Sequence, residues 1–212
     1  MARNIQKDAI EMADKNQRIL QSAFTLFAAN TIEKVKLTEV ADAANIGIAS
    51  LYRYYPSKPE LVLAVSIWAW DKFINENPLP IGEDNMTGAE EFEVHLNTFL
   101  DLYRVHKDLL RFNQFFNVYI QSEDISINQM EGYLEIVQKL EEQFHSTYTK
   151  GIADGTIKST LPEKAMFSTV LHLMLATVTR YAVGLAYNEE TDAEAELEIL
   201  KEMLMSRFTT KA

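Results

Sequence analysis

From about residue 15 to residue 208 the apolar side chains of this chain recur with a spacing near 3.6. Only seven glycines and five prolines interrupt its 212 residues. A 3.6 period lines apolar residues along one helical face, whereas a half-buried strand requires a period of two. No strand or hairpin pattern stands out, so the expected fold is all-α with about nine helices. Hydrophobic residues make up 47% of the chain, enough to fill a substantial core. The spacing predicts helices over about residues 15–30, two short ones within 37–55, then 58–75, 88–106, 107–121, 126–151, 163–187 and 192–208. The breaks fall at Asn77-Pro78-Leu79-Pro80-Ile81-Gly82, at the turn Gly151-Ile152-Ala153-Asp154-Gly155 and at the acidic loop Asn188-Glu189-Glu190.

One segment carries a more specific pattern. Residues 37–61 read LTEVADAANIGIASLYRYYPSKPEL. Leu37, Val40, Ala41 and Ala44 form an apolar stripe at i, i+3, i+4 and i+7. Asn45 then turns the chain, since asparagine enters the left-handed region at lower cost than most residues. The next helix has Ile46, Leu51 and Tyr55 as inward candidates, leaving Gly47, Ala49, Ser50, Arg53 and Tyr54 facing out. Pro56 stops it. Ser57 and Glu60, with Pro59 between them, are the capping box of a further helix starting at Lys58. This is the pattern of a helix-turn-helix, which sets its second helix in the DNA major groove.

The run from Ala44 through LYRYY to Ser57-Lys58-Pro59-Glu60-Leu61 resembles the signature of the tetracycline-repressor (TetR) family of bacterial transcription regulators. Ile19, Ala23, Leu26 and Phe27 upstream are similar to that family's first helix. The resemblance covers the first quarter to third of the chain. It implies a three-helix DNA-binding domain over residues 1–60 and a helical ligand-binding and dimerisation domain over 61–212. It also implies a homodimer on a palindromic double-stranded DNA operator, and a small-molecule effector. Three positions depart from the family pattern: Asn45 stands where glycine is common, while Gly47 and Lys36 replace the usual capping serine and threonine.

Of the residues in this segment, Arg53 is the best placed to read a base, because guanidinium pairs bidentately with guanine; a phosphate contact or a surface ion pair is the alternative. Gly47, Ala49 and Ser50 are small and permit close approach to a groove. Helical arithmetic turns Ile48 inward, whereas the family alignment puts it at the groove against a thymine methyl. Tyr52 and Tyr54 resemble the family's phosphate-contacting aromatics. Lys58 would add an ammonium to a helix N-terminus, a place where anions bind. Thr38, at the start of the preceding helix, is a weaker phosphate candidate.

A formal net charge of −11 argues against a nucleic-acid partner until its distribution is read. Residues 1–60 carry eight Lys/Arg and seven Asp/Glu, while the rest carries 12 against 24. An acidic remainder is repelled from DNA, so docking is expected through the N-terminal part alone. The same acidity, with capping residues missing, also fits a second reading: a helical ligand-binding or adaptor protein with a degenerate helix-turn-helix.

The remainder is rich in aromatic residues. Trp68, His95, Phe99, Tyr103, Phe112, Phe116, Asn117 and His172 are candidate lining for an apolar effector cavity, though such stripes more commonly form core. The predicted eighth helix is apolar on nearly every face, and with the ninth it suggests a four-helix interface between two subunits. Glu91/His95 and Glu141/His145 have metal-compatible i, i+4 spacing but read as structural pairs, so no metal is expected. There is no cysteine, no HExxH and no glycine-rich phosphate loop, so neither an enzyme nor a cofactor is expected. The N-terminus lacks the apolar core of a signal peptide and the uncharged run over 165–179 is short for a bilayer. The expected location is cytoplasmic, without a membrane partner.

Overall fold

A computed structural model describes residues 2–82, 85–123, 125–158, 160–184 and 192–210. Among them nine α-helices succeed one another: α1 (Ala2–Ala29), α2 (Leu37–Ala43), α3 (Ile48–Tyr54), α4 (Lys58–Glu76), α5 (Gly88–Val105), α6 (Lys107–Ser122), α7 (Glu131–Ala153), α8 (Glu163–Val183) and α9 (Ala193–Phe208). Short 3-10 turns, Ile32–Lys34 and Ile127–Met130, precede α2 and α7. The only extended pairing among the described residues is an isolated antiparallel bridge between Ile157 and Thr209. The chain is all-α, as its period requires.

Four boundaries differ from those the period suggests. α7 starts at Glu131 after a 3-10 turn rather than near residue 126. α1 begins at Ala2 rather than near residue 15. Ile10 and Met12 on this early part are exposed, and i, i+4 ion pairs of Lys7 with Glu11 and Asp14 with Arg18 support it locally. Gly151 lies inside α7 rather than in the turn after it; the left-handed residue of that turn is Gly155, at φ 77°. α8 ends at Val183, with Gly184 at φ 104°. The loop expected at Asn188-Glu189-Glu190 lies outside the described residues.

The helices form two compact units, one of Met1–Ile74 with Arg111–Tyr133 and the other of Asn75–Leu110 with Leu134–Ala212. In the first, Phe24 and Phe27 of α1 pack on Phe112 of α6, and Phe116 stacks between Phe112 and Tyr133. Ile19, Ala23, Leu51, Leu61 and Val65 fill the space around α1, α3 and α4 and are fully buried. Burying side chains of this size contributes about 1.5–3 kcal/mol each.

In the second unit, α8 packs on α5 and α9. Phe92 of α5 sits edge-on to Phe144 of α7 and to Phe208 of α9. The start of α5 crosses the end of α7 at glycine on both sides, and a Cβ on Gly88 would overlap the Gly151 Cα. Asp154 and Thr156, just beyond α7, accept from the Gly88 and Ala89 N–H groups at 2.8 and 3.0 Å. They thereby satisfy donors that a helix start leaves open. By length and composition α8 could cross a membrane. Its buried stripe of Met166, Val170, Met174, Val178 and Ala182 makes it instead the central helix of this unit.

In the single chain one side of α8 is buried by its own unit and the other, expected to meet a second subunit, is open. His172, Leu173, Ala176, Arg180 and Val183 face outward in the single chain. A stripe spaced by four residues buries one face only, and none of the described residues buries the opposite one.

Candidate nucleic-acid interface and effector cavity

The turn between α2 and α3 is built by backbone geometry. Asn45 adopts φ 54°, the only non-glycine residue with positive φ among those described. The N–H of Ile46 donates to the Ala41 carbonyl at 3.0 Å and that of Asn45 to Asp42 at 3.0 Å, which is a Schellman motif closing α2. Arg18 of α1 adds a hydrogen bond from Nη1 to the Ala44 carbonyl at 2.9 Å. The end of α2 is therefore fixed from inside and from α1.

Missing cap side chains are partly replaced. Lys36 offers α2 no acceptor, but the Glu39 carboxylate accepts from the Lys36 N–H at 2.6 Å, half of a capping box. Gly47 occupies the N-cap of α3 with extended φ and ψ and has no side chain to contribute. At α4, Ser57 Oγ accepts from the Glu60 N–H at 3.3 Å and donates to its carboxylate at 2.9 Å.

On α3, Leu51 is fully buried and anchors the helix, while Gly47, Ile48, Ala49, Tyr52 and Arg53 are exposed. Ile48, which helical arithmetic turns inward, is 36% exposed and lies on the outward side. Arg53 Nη2 donates to Ser50 Oγ at 2.8 Å, so the two polar residues of this face are held side by side. Thr38 is also exposed, in the first turn of α2.

The tyrosines divide. Tyr52 is 48% exposed. Tyr54 is half-buried and its hydroxyl donates to the Met12 carbonyl of α1 at 3.3 Å. Tyr55 donates to Asn16 Oδ1 at 2.6 Å; burial raises its pKa, against the Asn16 hydrogen bond. Lys58 does not simply point outward. Its ammonium donates to the Glu33 carbonyl at 3.2 Å and lies 5.8 Å from the centre of the Tyr119 ring. Burial lowers its pKa, opposed by the charges of Glu33, Glu123 and Glu39. A phosphate contact from Lys58 would compete with these partners.

The candidate cavity-lining residues are dispersed. Trp68, Phe112 and Phe116 lie in the first unit: Trp68 packs edge-on to Phe24 and donates to Gln17, and the two phenylalanines are buried in the aromatic core. Asn117 and His172 are exposed. Tyr103 faces Tyr181 and carries the Lys107 ammonium 4.3 Å above its ring. Only His95 and Phe99 line one cavity, in the second unit, together with Leu79, Thr98, Leu140, Phe144, Phe167, Val170 and Leu171. Its free volume is about 60 Å³, a narrow apolar cleft well under the roughly 300–1,000 Å³ of drug-sized sites.

Behind His95 runs a polar chain that sequence reasoning missed. His95 Nε2 lies 3.0 Å from Thr147 Oγ1, which donates to Glu91 Oε2 at 3.1 Å. The other Glu91 oxygen accepts from Lys150 at 2.7 Å and from the Gly82 N–H at 2.8 Å. Burial pushes the Glu91 carboxyl up, but the hydrogen bonds from Lys150, Gly82 and Thr147 together hold it below its usual range. Burial also takes His95 down to about 4, against the nearby Glu91 charge. The Glu91/His95 spacing was the one available signal, and nothing in the sequence marks Thr147 or Lys150 as their partners. Of the other spaced pair, His145 hydrogen-bonds Glu163 at 2.9 Å.

Known proteins resemble the N-terminal segment in sequence and the whole chain in fold. Residues 19–65 match the family described as bacterial regulatory proteins, tetR family. An HTH-type transcriptional regulator of Staphylococcus aureus (strain MRSA252) is 31% identical over 107 residues, a match spanning 50% of this chain and 56% of that protein. Among solved structures, the transcriptional regulator FadR from Bacillus subtilis, in complex with stearoyl-CoA, superposes with a TM-score of 0.70 at 19% identity, covering 90% of this chain and 97% of that one. A Saccharomonospora viridis protein in complex with choline superposes at 0.73 and 13% identity, covering 94% and 100%. At these identities the two structures establish a shared fold.

Proposed function

We propose, from the premise that this chain belongs to the tetR family of bacterial regulatory proteins, that it is a cytoplasmic transcriptional repressor which binds a palindromic operator as a homodimer. A small, mostly apolar effector taken up in the second unit releases it. The observation that carries this reading is α3. It is anchored by a fully buried Leu51, opened by a left-handed Asn45, and presents Ile48, Ala49, Tyr52 and Arg53 on one exposed face. A helix anchored in this way is shaped to lie in a major groove.

Thr38, Gly47, Ser50 and Tyr54 complete the proposed contact surface, with Lys58 contributing if its ammonium leaves the Glu33 carbonyl. The dimer is proposed through α8 and α9, whose outward faces carry Leu173, Val183, Ile199 and Met203. Two half-sites offset the weakness expected of a single segment with few cations. Release needs only that effector and operator favour different dimer geometries.

The test compares the full chain with Arg53→Ala on duplex DNA over a range of salt. Wild-type affinity should fall steeply with salt, and the variant should lose about 1–3 kcal/mol of binding with its melting temperature unchanged. An adaptor with a degenerate helix-turn-helix would be indifferent to the substitution.

A further inference from the structure

The cavity of the second unit is lined by apolar side chains and two polar ones, His95 and Thr98. What each polar group can offer follows from where its hydrogens are committed. Thr98 Oγ1 donates to the Val94 carbonyl of its own helix at 3.1 Å, which leaves its oxygen as an acceptor only.

His95 is fixed by the chain behind it. Glu91 is fully buried and ion-paired to Lys150, and a carboxylate can only accept. Thr147 has one hydroxyl hydrogen, and it goes to Glu91. Thr147 Oγ1 must then accept from His95, so the imidazole proton sits on Nε2. Nδ1 is left with a free lone pair and has no hydrogen-bond partner among the described residues. The low pKa of His95 agrees with a neutral ring.

Both polar groups of the cavity are thus acceptors, and among the described residues no lysine or arginine lines it. We infer that the cavity selects an uncharged, mainly apolar molecule carrying a hydroxyl or N–H donor, which His95 Nδ1 receives, and that it rejects carboxylates, phosphates and other anions. This inference rests on the proposal that the cavity is the effector site, and it adds the chemical class of the effector. An anion would meet two lone pairs, the Lys150 ammonium behind them being paired with Glu91, and no positive charge among the described lining residues. An ammonium would satisfy the acceptors but lose its hydration against apolar walls. Thr147 and Glu91 act through His95 and are positioning residues.

Four probes with one eight-carbon skeleton separate these cases on the full chain: 1-octanol, octyl methyl ether, octanoate and octylamine, measured by calorimetry. Octanol should bind about tenfold tighter than the ether, in which a methyl group replaces the donor hydrogen, and octanoate should not bind. His95→Leu should erase the preference for octanol over the ether. A second readout needs no ligand. Nitrogen-15 spectra of the histidine side chains should show His95 protonated at Nε2 in the wild type and a mixture of tautomers in Thr147→Val.

Octanoate or the ether binding as tightly as octanol overturns the donor rule, and octylamine doing so overturns the exclusion of charge, each while upholding the cavity as a ligand site. Protonation at Nδ1 in the wild type overturns it independently of any ligand. Failure of all four probes to bind at millimolar concentration removes the effector reading and this inference with it.

Discussion

Burial of His95 ties one residue to the stability of the second unit. Its pKa is about 4 in the folded chain against an ordinary value of 6.5. Between those values the unfolded chain binds a proton that the folded chain refuses, so stability rises with pH across that window and is lost as pH falls through it. Urea unfolding at pH 7 and pH 4.5 should show wild type losing about 2 kcal/mol more than His95→Leu. Equal losses would mean that the ring is solvated and the Thr147 contact weak. The same residue illustrates what a sequence conceals. Its place on the apolar face of α5 is legible from Phe92, Leu96 and Phe99, but its tautomer depends on Thr147 and Lys150, more than 50 positions away.

At the scale of helices, close approach decides more than propensity does. α5 and α7 cross at Gly88 and Gly151 with no room for a methyl group on either side. Gly88→Ala should therefore destabilise the chain by about 1–3 kcal/mol, as overpacking does, although alanine is the better helix former. Thermal unfolding measures this, and an unchanged or raised midpoint would show that the crossing can open. Most helices were legible because each buries one stripe: α4, α5, α6 and α9 fall within one or two residues of the positions their spacing predicts. The turn at Asn45 was legible for a different reason, the backbone tolerance of asparagine, and it appears at φ 54°. The early part of α1 was not legible, because its Ile10 and Met12 are exposed and mark no buried stripe. The cavity of the second unit was legible in small part: His95 and Phe99 line it, but Phe112 and Phe116 went to the core of the other unit and Trp68 packs on Phe24 there. Aromatic content alone does not distinguish a wall from a filled interior.

At the scale of the molecule the open faces of α8 and α9 call for a partner. Leu173, Ile199 and Met203 are 45%, 55% and 64% exposed in the single chain. Apolar side chains grouped on neighbouring helices mark association surfaces, and a second copy with two-fold symmetry would cover them. Leu173→Glu combined with Met203→Glu should convert a dimer into a monomer in sedimentation while leaving helicity intact. It should also abolish tight DNA binding, since one helix-turn-helix with a local balance of eight cations against seven anions is a weak ligand for a duplex. A wild-type monomer in sedimentation would contradict this assembly. The central claim, that α3 reads a DNA sequence, is tested most directly by selection of the purified full-length protein on random duplexes. The account predicts enrichment of one palindromic element whose half-sites lie about one helical turn apart; binding that enriches no sequence would contradict it.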